Sequence, residues 1–186
     1  MKIRHRIHAR KVVLACLYRH WFIESLAQSS AVLEQMVEVS QSIENSKKSY
    51  EDEKSELKDA IEASIEQDPM EKVDYLTNNC FDNRGYEQID IEFVFALVSE
   101  YEKHKEEVAK KVNKYATSFS FEQMDMIDQS IFILWYVEYI KIWTPKEVLL
   151  NEMVELSKRN WDEWSSKLIN GILHQMIVAI ESANPD

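Results

Sequence analysis

Residues 2–21 hold the side chains best suited to binding another molecule, because they combine six cations and three histidines with no carboxylate. The whole chain has 22 basic and 33 acidic residues, so the rest of it holds 16 cations against 33 carboxylates. Clustered arginine and lysine attract a polyanion such as RNA, and salt weakens that attraction. Because the acidic remainder repels a polyanion, RNA binding is expected to be confined to this end. The six cations are Lys2, Arg4, Arg6, Arg10, Lys11 and Arg19.

The same residues have the spacing of an amphipathic helix. Apolar residues from Ile3 to Trp21 recur at helical intervals, which leaves Arg6, Arg10 and Arg19 available to other faces. Three interpretations are open: an RNA-binding helix, a core helix whose cations are merely solvated, and a helix on a membrane surface. The membrane interpretation is weaker, because anionic lipid would repel the acidic remainder and the apolar stripe is needed to hold this helix to the body.

Few other residues have a spacing that suits catalysis or metal binding. Asp128 and Glu138 are ten residues apart, too far along one helix to act as a paired acid and base. His5 and His8 have no cysteine or carboxylate close by, and His104 lies in a charged face without a second ligand. The chain also lacks a glycine-rich phosphate loop and a recognisable Ser/His/Asp arrangement. We therefore expect a protein that is not an enzyme and uses no metal or cofactor.

Composition predicts an all-α protein. The 186 residues are 45% hydrophobic and include five tryptophans, enough for a sizeable core. Two glycines and three prolines are too few for the turns of an all-β protein of this length. Cys16 and Cys80 lack metal-ligand spacing, so we expect thiols in a reducing compartment and no disulfide. Without a signal-peptide pattern or a membrane-spanning stretch, a cytoplasmic location is expected.

The first half of the chain is expected to continue with a helix over 32–43, which Ser29 or Ser30 can cap. The segment 45–66 is strongly charged with only a narrow apolar stripe, so it is interpreted as a solvated helix or an insertion. Asp68–Pro69 should end that segment, and 78–85 has the composition of a loop. A long helix with a charged outer face is expected over 91–115.

The second half is expected to contain the central helix of the fold. Residues 127–142 are apolar almost all round, and such a helix must be covered on every side. After it, Thr144 and Glu147 have the spacing of a capping box, with Pro145 at the first helical position. The pattern therefore predicts a sharp helix start at this point.

The last predicted helix contains a glycine and several polar residues that need an explanation. Gly171 costs about 1 kcal/mol relative to alanine in a helix, which suggests the close approach of another helix or a ligand. Asn151, Lys167 and Asn170 either satisfy helix ends and one another, or bind another molecule. The sequence leaves both alternatives open.

Four motifs occur in the order of a known family. They are Arg6-x-x-Ala9-Arg10 followed by Leu17-Tyr18, the pattern IDxxIFxLxxxE from Ile127, Pro145-x-x-Val148-x-x-Asn151-Glu152-x-Val154-Glu155-Leu156-x-Lys158, and Ser165-x-Lys167-x-x-Asn170-Gly171-x-Leu173. The last two are specific, because they stand in the right order near the end of a chain of suitable size. On these residues the chain resembles the NusB family of transcription antitermination factors, over most of its length except 45–88.

The resemblance implies a compact NusB-like fold of two small helical bundles with about seven helices. The expected halves are 1–88, with a charged insertion around 45–66, and 89–186. The resemblance also implies a function in rRNA transcription. The protein would bind boxA, a single-stranded element of the rRNA transcript, together with the ribosomal protein NusE in the transcription elongation complex.

Specific RNA-binding residues follow from the resemblance. Arg6 and Arg10 match the family's arginine-rich RNA-binding start, and Arg4 is a neighbouring cation. Tyr18 matches a tyrosine of the family, and Lys167 matches a lysine near the RNA surface. Arginine forks grip phosphates and a tyrosine ring can stack on an unpaired base, so this set suits a single strand.

The resemblance also implies a partner-binding residue and shows several departures. Asp128 matches an acidic position that faces NusE. Where the family has consecutive arginines this chain has Ile7 and His8, a frequent glutamine is replaced by Ala15, and an aromatic residue by Leu168. Each change removes a donor, a charge or a stacking surface. The alternative function is therefore a helical protein-interaction module that binds NusE or forms a homodimer and has lost specific RNA recognition.

Overall fold

The computed structural model describes residues 3–44, 48–79, 89–160 and 163–183, and every regular element in these ranges is helical. The all-α prediction is therefore confirmed. The described residues form nine α-helices and one short 3-10 helix, more helices than the resemblance implies. The elements are α1 (Ile3–Gln28), α2 (Ser30–Glu44), α3 (Tyr50–Glu66), α4 (Pro69–Asn79), α5 (Ile91–Val98), α6 (Tyr101–Asn113), the 3-10 helix (Phe121–Gln123), α7 (Met126–Ile142), α8 (Lys146–Asn160) and α9 (Glu163–Ala183).

Helix α7 is the centre of the fold. Every side chain from Ser130 to Glu138 is buried, and α1, α5, α6, α8 and α9 all pack against this helix. A helix that is apolar on all sides can bury its surface only when neighbours cover all of them. The prediction of a central helix over 127–142 is confirmed.

Helix α1 lies antiparallel to α7. Arg10 bonds to Glu138 near the C-terminal end of α7, whereas Trp21 lines the same cavity as Met126 and Gln129 near its N-terminal end. The apolar side of α1 is buried, and α1 also packs against α2, α3, α4 and α5. The predicted amphipathic helix is therefore present, and its basic start lies at the level of the C-terminal end of α7.

The charged segment after residue 45 folds as a helix that packs on α1 and α2. The Ser49 side chain accepts a hydrogen bond from the backbone N–H of Asp52 and so caps α3. Ile61, at the centre of the narrow apolar stripe, is buried. Pro69 begins α4, which confirms the break at Asp68–Pro69. Helix α4 continues to Asn79, and the rest of the predicted loop over 78–85 lies outside the described residues.

The single long helix expected over 91–115 is wrong, because the structure divides it in two. Helix α5 ends at Val98 and α6 begins at Tyr101, with Ser99 and Glu100 in the turn between them. Helix α5 packs against α1, α4 and α7, whereas α6 packs against α7 and α9. The turn changes the direction of the chain, so that the two apolar stretches face different neighbours.

The start of α8 differs in part from the prediction. Helix α8 begins at Lys146, directly after Pro145, so the sharp start is present. The Thr144 hydroxyl, however, donates a hydrogen bond of 2.7 Å to Glu138 instead of forming the predicted capping box with Glu147. A buried carboxylate such as that of Glu138 needs hydrogen-bond donors, and Thr144 supplies one of them.

Gly171 does not mark the close approach of another described helix, which corrects that part of the prediction. It is exposed on α9, and nothing in the described structure lies within 4 Å of the position that a Cβ atom would occupy. The residue therefore carries the conformational cost of a mid-helix glycine without a packing gain.

Replacing Gly171 with alanine is expected to raise the free energy of unfolding by up to about 1 kcal/mol, because alanine has the higher helix propensity and there is space for its methyl group. Urea denaturation followed by circular dichroism measures the change. The reverse substitution Ala60→Gly, at an exposed position in α3, should lower stability by a similar amount. A lower stability of Gly171→Ala than of the wild type would contradict this interpretation.

Cys16 is buried as a free thiol, and burial raises its pKa to about 12. Cys80 lies outside the described residues. Across the part of the chain that the structure describes, no helix has the length and apolar character needed to cross a membrane.

Candidate nucleic-acid interface

One face of α1 carries both cationic and aromatic side chains toward solvent. His8, Lys11, Ala15, Tyr18 and Phe22 follow one another at intervals of three or four residues, so they form one line along the helix, here called the α1 stripe. His8, Tyr18 and Phe22 are exposed, and Lys11 and Ala15 are partly exposed. The α1 stripe therefore offers basic groups near its start and aromatic rings near its end.

Tyr18 and Phe22 form a stacked aromatic pair on this face. Their ring centroids are 6.2 Å apart with 12° between the ring planes. Their side chains are 38% and 45% exposed, respectively, in a position where apolar side chains gain little from folding. Exposed aromatic rings beside cations are the usual platform for the bases of a single strand, which stack with little regard to sequence.

Arg6 lies near the start of α1 but on the side of the helix that faces α5, away from the α1 stripe, with its guanidinium 5.2 Å from the centroid of the Phe93 ring. Its Nε atom is 3.8 Å from the Asp90 carboxylate, longer than a hydrogen bond. The side chain is one-third exposed. Arg6 is therefore held by an aromatic ring and a loose ion pair while about a third of its side chain stays exposed.

Arg10 is buried in an ion pair that crosses the fold. Its Nε and Nη2 atoms donate to the two carboxylate oxygens of Glu138 at 2.8 and 2.7 Å, and Nη1 donates to Glu152 at 3.2 Å. Burial disfavours the charged guanidinium, but the hydrogen bonds and attraction of Glu138 and Glu152 outweigh it and raise the pKa of Arg10. Glu138 also accepts the Thr144 hydroxyl, so its carboxylate joins α1, α7 and the start of α8.

The buried ion pair makes Arg10 inaccessible to a phosphate of RNA. Only 3% of the residue is exposed, and its fork is already occupied by two carboxylates. A phosphate could reach it only after the buried pair had been broken, which would leave a charge without a partner. The structure therefore presents Arg10 as the link that holds the start of α1 to the core, and not as a group available to RNA.

The other predicted residues are spread over the molecule. The Arg4 side chain lies outside the described part of the chain, and Lys167 is exposed on α9. Asp128 is buried and accepts a hydrogen bond from the Ser165 hydroxyl at the start of α9. Because Asp128 precedes Glu138 by ten residues, it lies about 15 Å closer to the N-terminal end of α7. The start of α9 is thus level with the aromatic end of the α1 stripe and away from the level of its basic end.

A second cluster of polar groups, in which Lys72 and His20 are buried and Glu102 is exposed, lies against the C-terminal half of α1. Lys72 Nζ is 3.2 Å from the Glu102 carboxylate and 3.5 Å from His20 Nδ1. Burial lowers the pKa of His20, although Glu102 opposes that effect. The exposed Glu102 carboxylate thus offsets the buried Lys72 charge, so we assign these groups a structural role. No group of three His, Cys, Asp or Glu side chains in the described ranges is arranged to hold a metal ion.

Sequence reasoning missed two kinds of residue at this face. Phe22 is part of the aromatic pair, and its position one helical turn after Tyr18 was the signal that could have identified it. Glu138 and Glu152 neutralise Arg10 from 128 and 142 residues away, and no local spacing indicates such a contact.

Comparison with known proteins relates the chain to one family. The NusB family matches residues 59–178, a range that begins after α1. "Transcription antitermination protein NusB" of Methylacidiphilum infernorum (isolate V4) is 31% identical over 106 residues, which cover 56% of this chain and 74% of that protein. The protein of the same name from Clostridium botulinum (strain Loch Maree / Type A3) is 31% identical over 122 residues, covering 65% and 79%.

The fold agrees with that relationship. The structure of T. maritima NusB superposes with a TM-score of 0.54 at 18% identity, covering 92% of this chain and 89% of that one. At this identity the likeness concerns the fold alone. The family match over more than half of the chain, the two relatives and the shared all-α fold together identify the chain as a member of the NusB family.

Proposed function

We propose that this chain is an RNA-binding transcription antitermination factor that binds a boxA-like single strand in rRNA transcripts together with NusE. Membership of the NusB family supports the role in transcription, since the relatives are named as antitermination proteins. The observation that carries the RNA-binding part is the α1 stripe, which combines Lys11 with the exposed Tyr18 and Phe22 rings. Cations and aromatic faces on one surface are what recognition of a single strand requires.

The predicted residues take different roles in this proposal. Arg6, with Arg4, attracts phosphates at the basic end, and Tyr18 offers a ring to a base. Arg10 acts indirectly, because its buried pair with Glu138 fixes the start of α1. Lys167 supplies a further cation on α9.

Asp128 is assigned a positioning role toward NusE. Its carboxylate is buried and bonded to Ser165, so it fixes the start of α9 and does not itself reach the surface. In this proposal, NusE contacts exposed side chains of α9 other than Lys167.

The salt dependence of RNA binding tests the proposal, because the protein has a formal net charge of −11 and repels RNA outside its basic residues. An acidic protein that binds RNA through a few cations should bind a labelled boxA-like single strand at low salt, and more weakly as the salt concentration rises. A duplex of the same sequence should bind less well, because its stacked bases cannot reach the aromatic pair. Fluorescence anisotropy with and without NusE measures all three effects. Equal affinity for single strand and duplex would contradict the proposal.

A second function is favoured by one further observation. Helix α2 exposes Met36, Val39 and Ile43 on its outer side. An exposed apolar face of this kind is typical of a protein-binding surface. The alternative is therefore a module that binds NusE or a second copy of itself without specific RNA recognition. Light scattering and a pull-down of NusE in the absence of RNA distinguish it: retained NusE binding without any RNA affinity would favour this alternative.

A further inference from the structure

Trp143 combines two features that rarely occur together in one residue. It has φ 55° and ψ 35°, and among the described residues it is the only non-glycine with positive φ. Its side chain is also 81% exposed, the highest value among the large apolar side chains of the described ranges. The left-handed conformation is unfavourable for a residue with a Cβ atom, and the exposed indole gains nothing from burial that could offset it.

The turn explains the backbone conformation but not the choice of tryptophan. Helix α7 ends at Ile142, and Pro145 disfavours the α conformation for Thr144, so the chain must leave the helix at this point. A left-handed residue is a common way to end a helix, and glycine or asparagine usually fills that position. Strained residues that persist in a fold cluster at sites of function. The strain together with the exposure points to contact with another molecule.

The charged groups near Trp143 indicate which kind of molecule it contacts. Helices α1 and α7 are antiparallel with Arg10 beside Glu138, and four residues advance each helix by about 6 Å. Ile142 and Arg6 therefore lie at the same level, so Trp143 is at the end of the fold where the basic start of α1 lies. Thr144, its neighbour, is joined to Arg10 through the Glu138 carboxylate. One exposed carboxylate, that of Glu147, is also near in the chain.

We propose that the Trp143 indole stacks on an unpaired base of a single-stranded RNA whose phosphates are attracted by the basic start of α1. This inference rests on the proposed RNA binding and extends it to a residue outside the family motifs. A tryptophan offers the largest π face of any side chain, and stacking on it needs no particular base. The exposed indole needs no rearrangement of the fold before a base can reach it.

Two substitutions at Trp143 give a test in which stability and binding change in opposite directions. Trp143→Gly removes the ring, and glycine adopts the left-handed backbone conformation without strain. The substitution should therefore raise the melting temperature by about 2–4 °C. It should also weaken binding of a labelled boxA-like single strand by about 5- to 100-fold. The slope of log affinity against log salt should not change, because the cations that meet the phosphates are all still present. Trp143→Phe keeps an aromatic face and should bind within a few-fold of the wild type at unchanged stability.

Three results would overturn the inference. If the wild type binds the single strand and Trp143→Gly binds it equally well, RNA binding stands and Trp143 has no part in it. If the salt slope falls together with affinity, the substitution has displaced phosphate-binding cations and stacking is not the cause. If the wild type shows no salt-dependent binding at all, the proposed function fails and this inference fails with it.

Discussion

Replacing Glu138 with glutamine is expected to lower the free energy of unfolding by about 3 kcal/mol, because breaking a buried ion pair leaves its partner charge uncompensated. The carboxylate receives both arms of the Arg10 fork and the Thr144 hydroxyl. Glutamine keeps the shape but loses the charge and can accept with only one oxygen. Urea denaturation gives the change directly. Thermal unfolding should show a melting temperature lower by roughly 6–12 °C for a chain of this size.

The matched control is Glu147→Gln, an equal change at an exposed carboxylate on α8. It should alter stability by no more than about 0.5 kcal/mol, since surface substitutions usually have small effects. Replacing both members of the buried pair, in Arg10→Met with Glu138→Leu, should recover part of the loss, because the one carboxylate left without Arg10, that of Glu152, is 19% exposed and can still be hydrated. A Glu138→Gln variant as stable as the Glu147→Gln control would mean that the ion pair does not hold α1 to the core.

Truncation of Phe93 to alanine is expected to cost about 3–5 kcal/mol, the usual range for a buried phenylalanine. Phe93 is 4% exposed, and the Arg6 and Arg10 guanidiniums lie 5.2 and 5.6 Å from its ring centroid. The substitution therefore removes core packing and the surface on which both arginines rest. Circular dichroism during urea unfolding measures the loss.

Phe95 provides the control on the same helix. It is 44% exposed, so Phe95→Ala should change stability by less than about 1 kcal/mol. The two variants lose the same atoms from positions two residues apart and differ in burial. Similar losses of stability in Phe93→Ala and Phe95→Ala would contradict the packing of α5 on α1.

The sequence was sufficient to predict the features that depend on local patterns. The unbroken apolar run from Ile127 predicted a helix covered on every side, and α7 is buried in that way. Pro69 predicted where the preceding segment ends and Pro145 where a helix begins, because proline constrains the residue before it whatever the rest of the fold does. The helical spacing of the apolar residues between Ile3 and Trp21 likewise predicted α1.

Features that depend on long-range contacts were not predictable. Arg10 looked like an RNA ligand because its neighbours along the chain are basic, but its partners Glu138 and Glu152 come from other helices. The turn at Ser99 and Glu100 occurs in a sequence with good helical periodicity, and only the positions of α1 and α7 explain it. Gly171 suggested a close contact because a mid-helix glycine usually has a packing reason, and here the space beside it is open.

These differences refine the candidate interface without moving it from α1. A buried Arg10 and an exposed Lys11 mean that charge alone does not identify the residues that reach RNA. The side of the helix on which a residue lies determines whether it can reach RNA, because neighbouring residues on a helix point about 100° apart. The aromatic end of the α1 stripe is therefore expected to contribute to RNA binding as much as its basic end does.

The most direct test is the salt dependence of RNA binding in two matched double variants. One changes Arg6→Gln and Lys11→Gln on the basic end of α1, and the other changes Lys110→Gln and Lys114→Gln, two exposed lysines on or next to α6. On a single strand, each phosphate that a cation neutralises contributes about 0.7 to the log–log slope. We predict a slope lower by about 1.4 for the α1 variant and an unchanged slope for the α6 variant. The same slope for the wild type and the α1 variant would contradict RNA binding by α1.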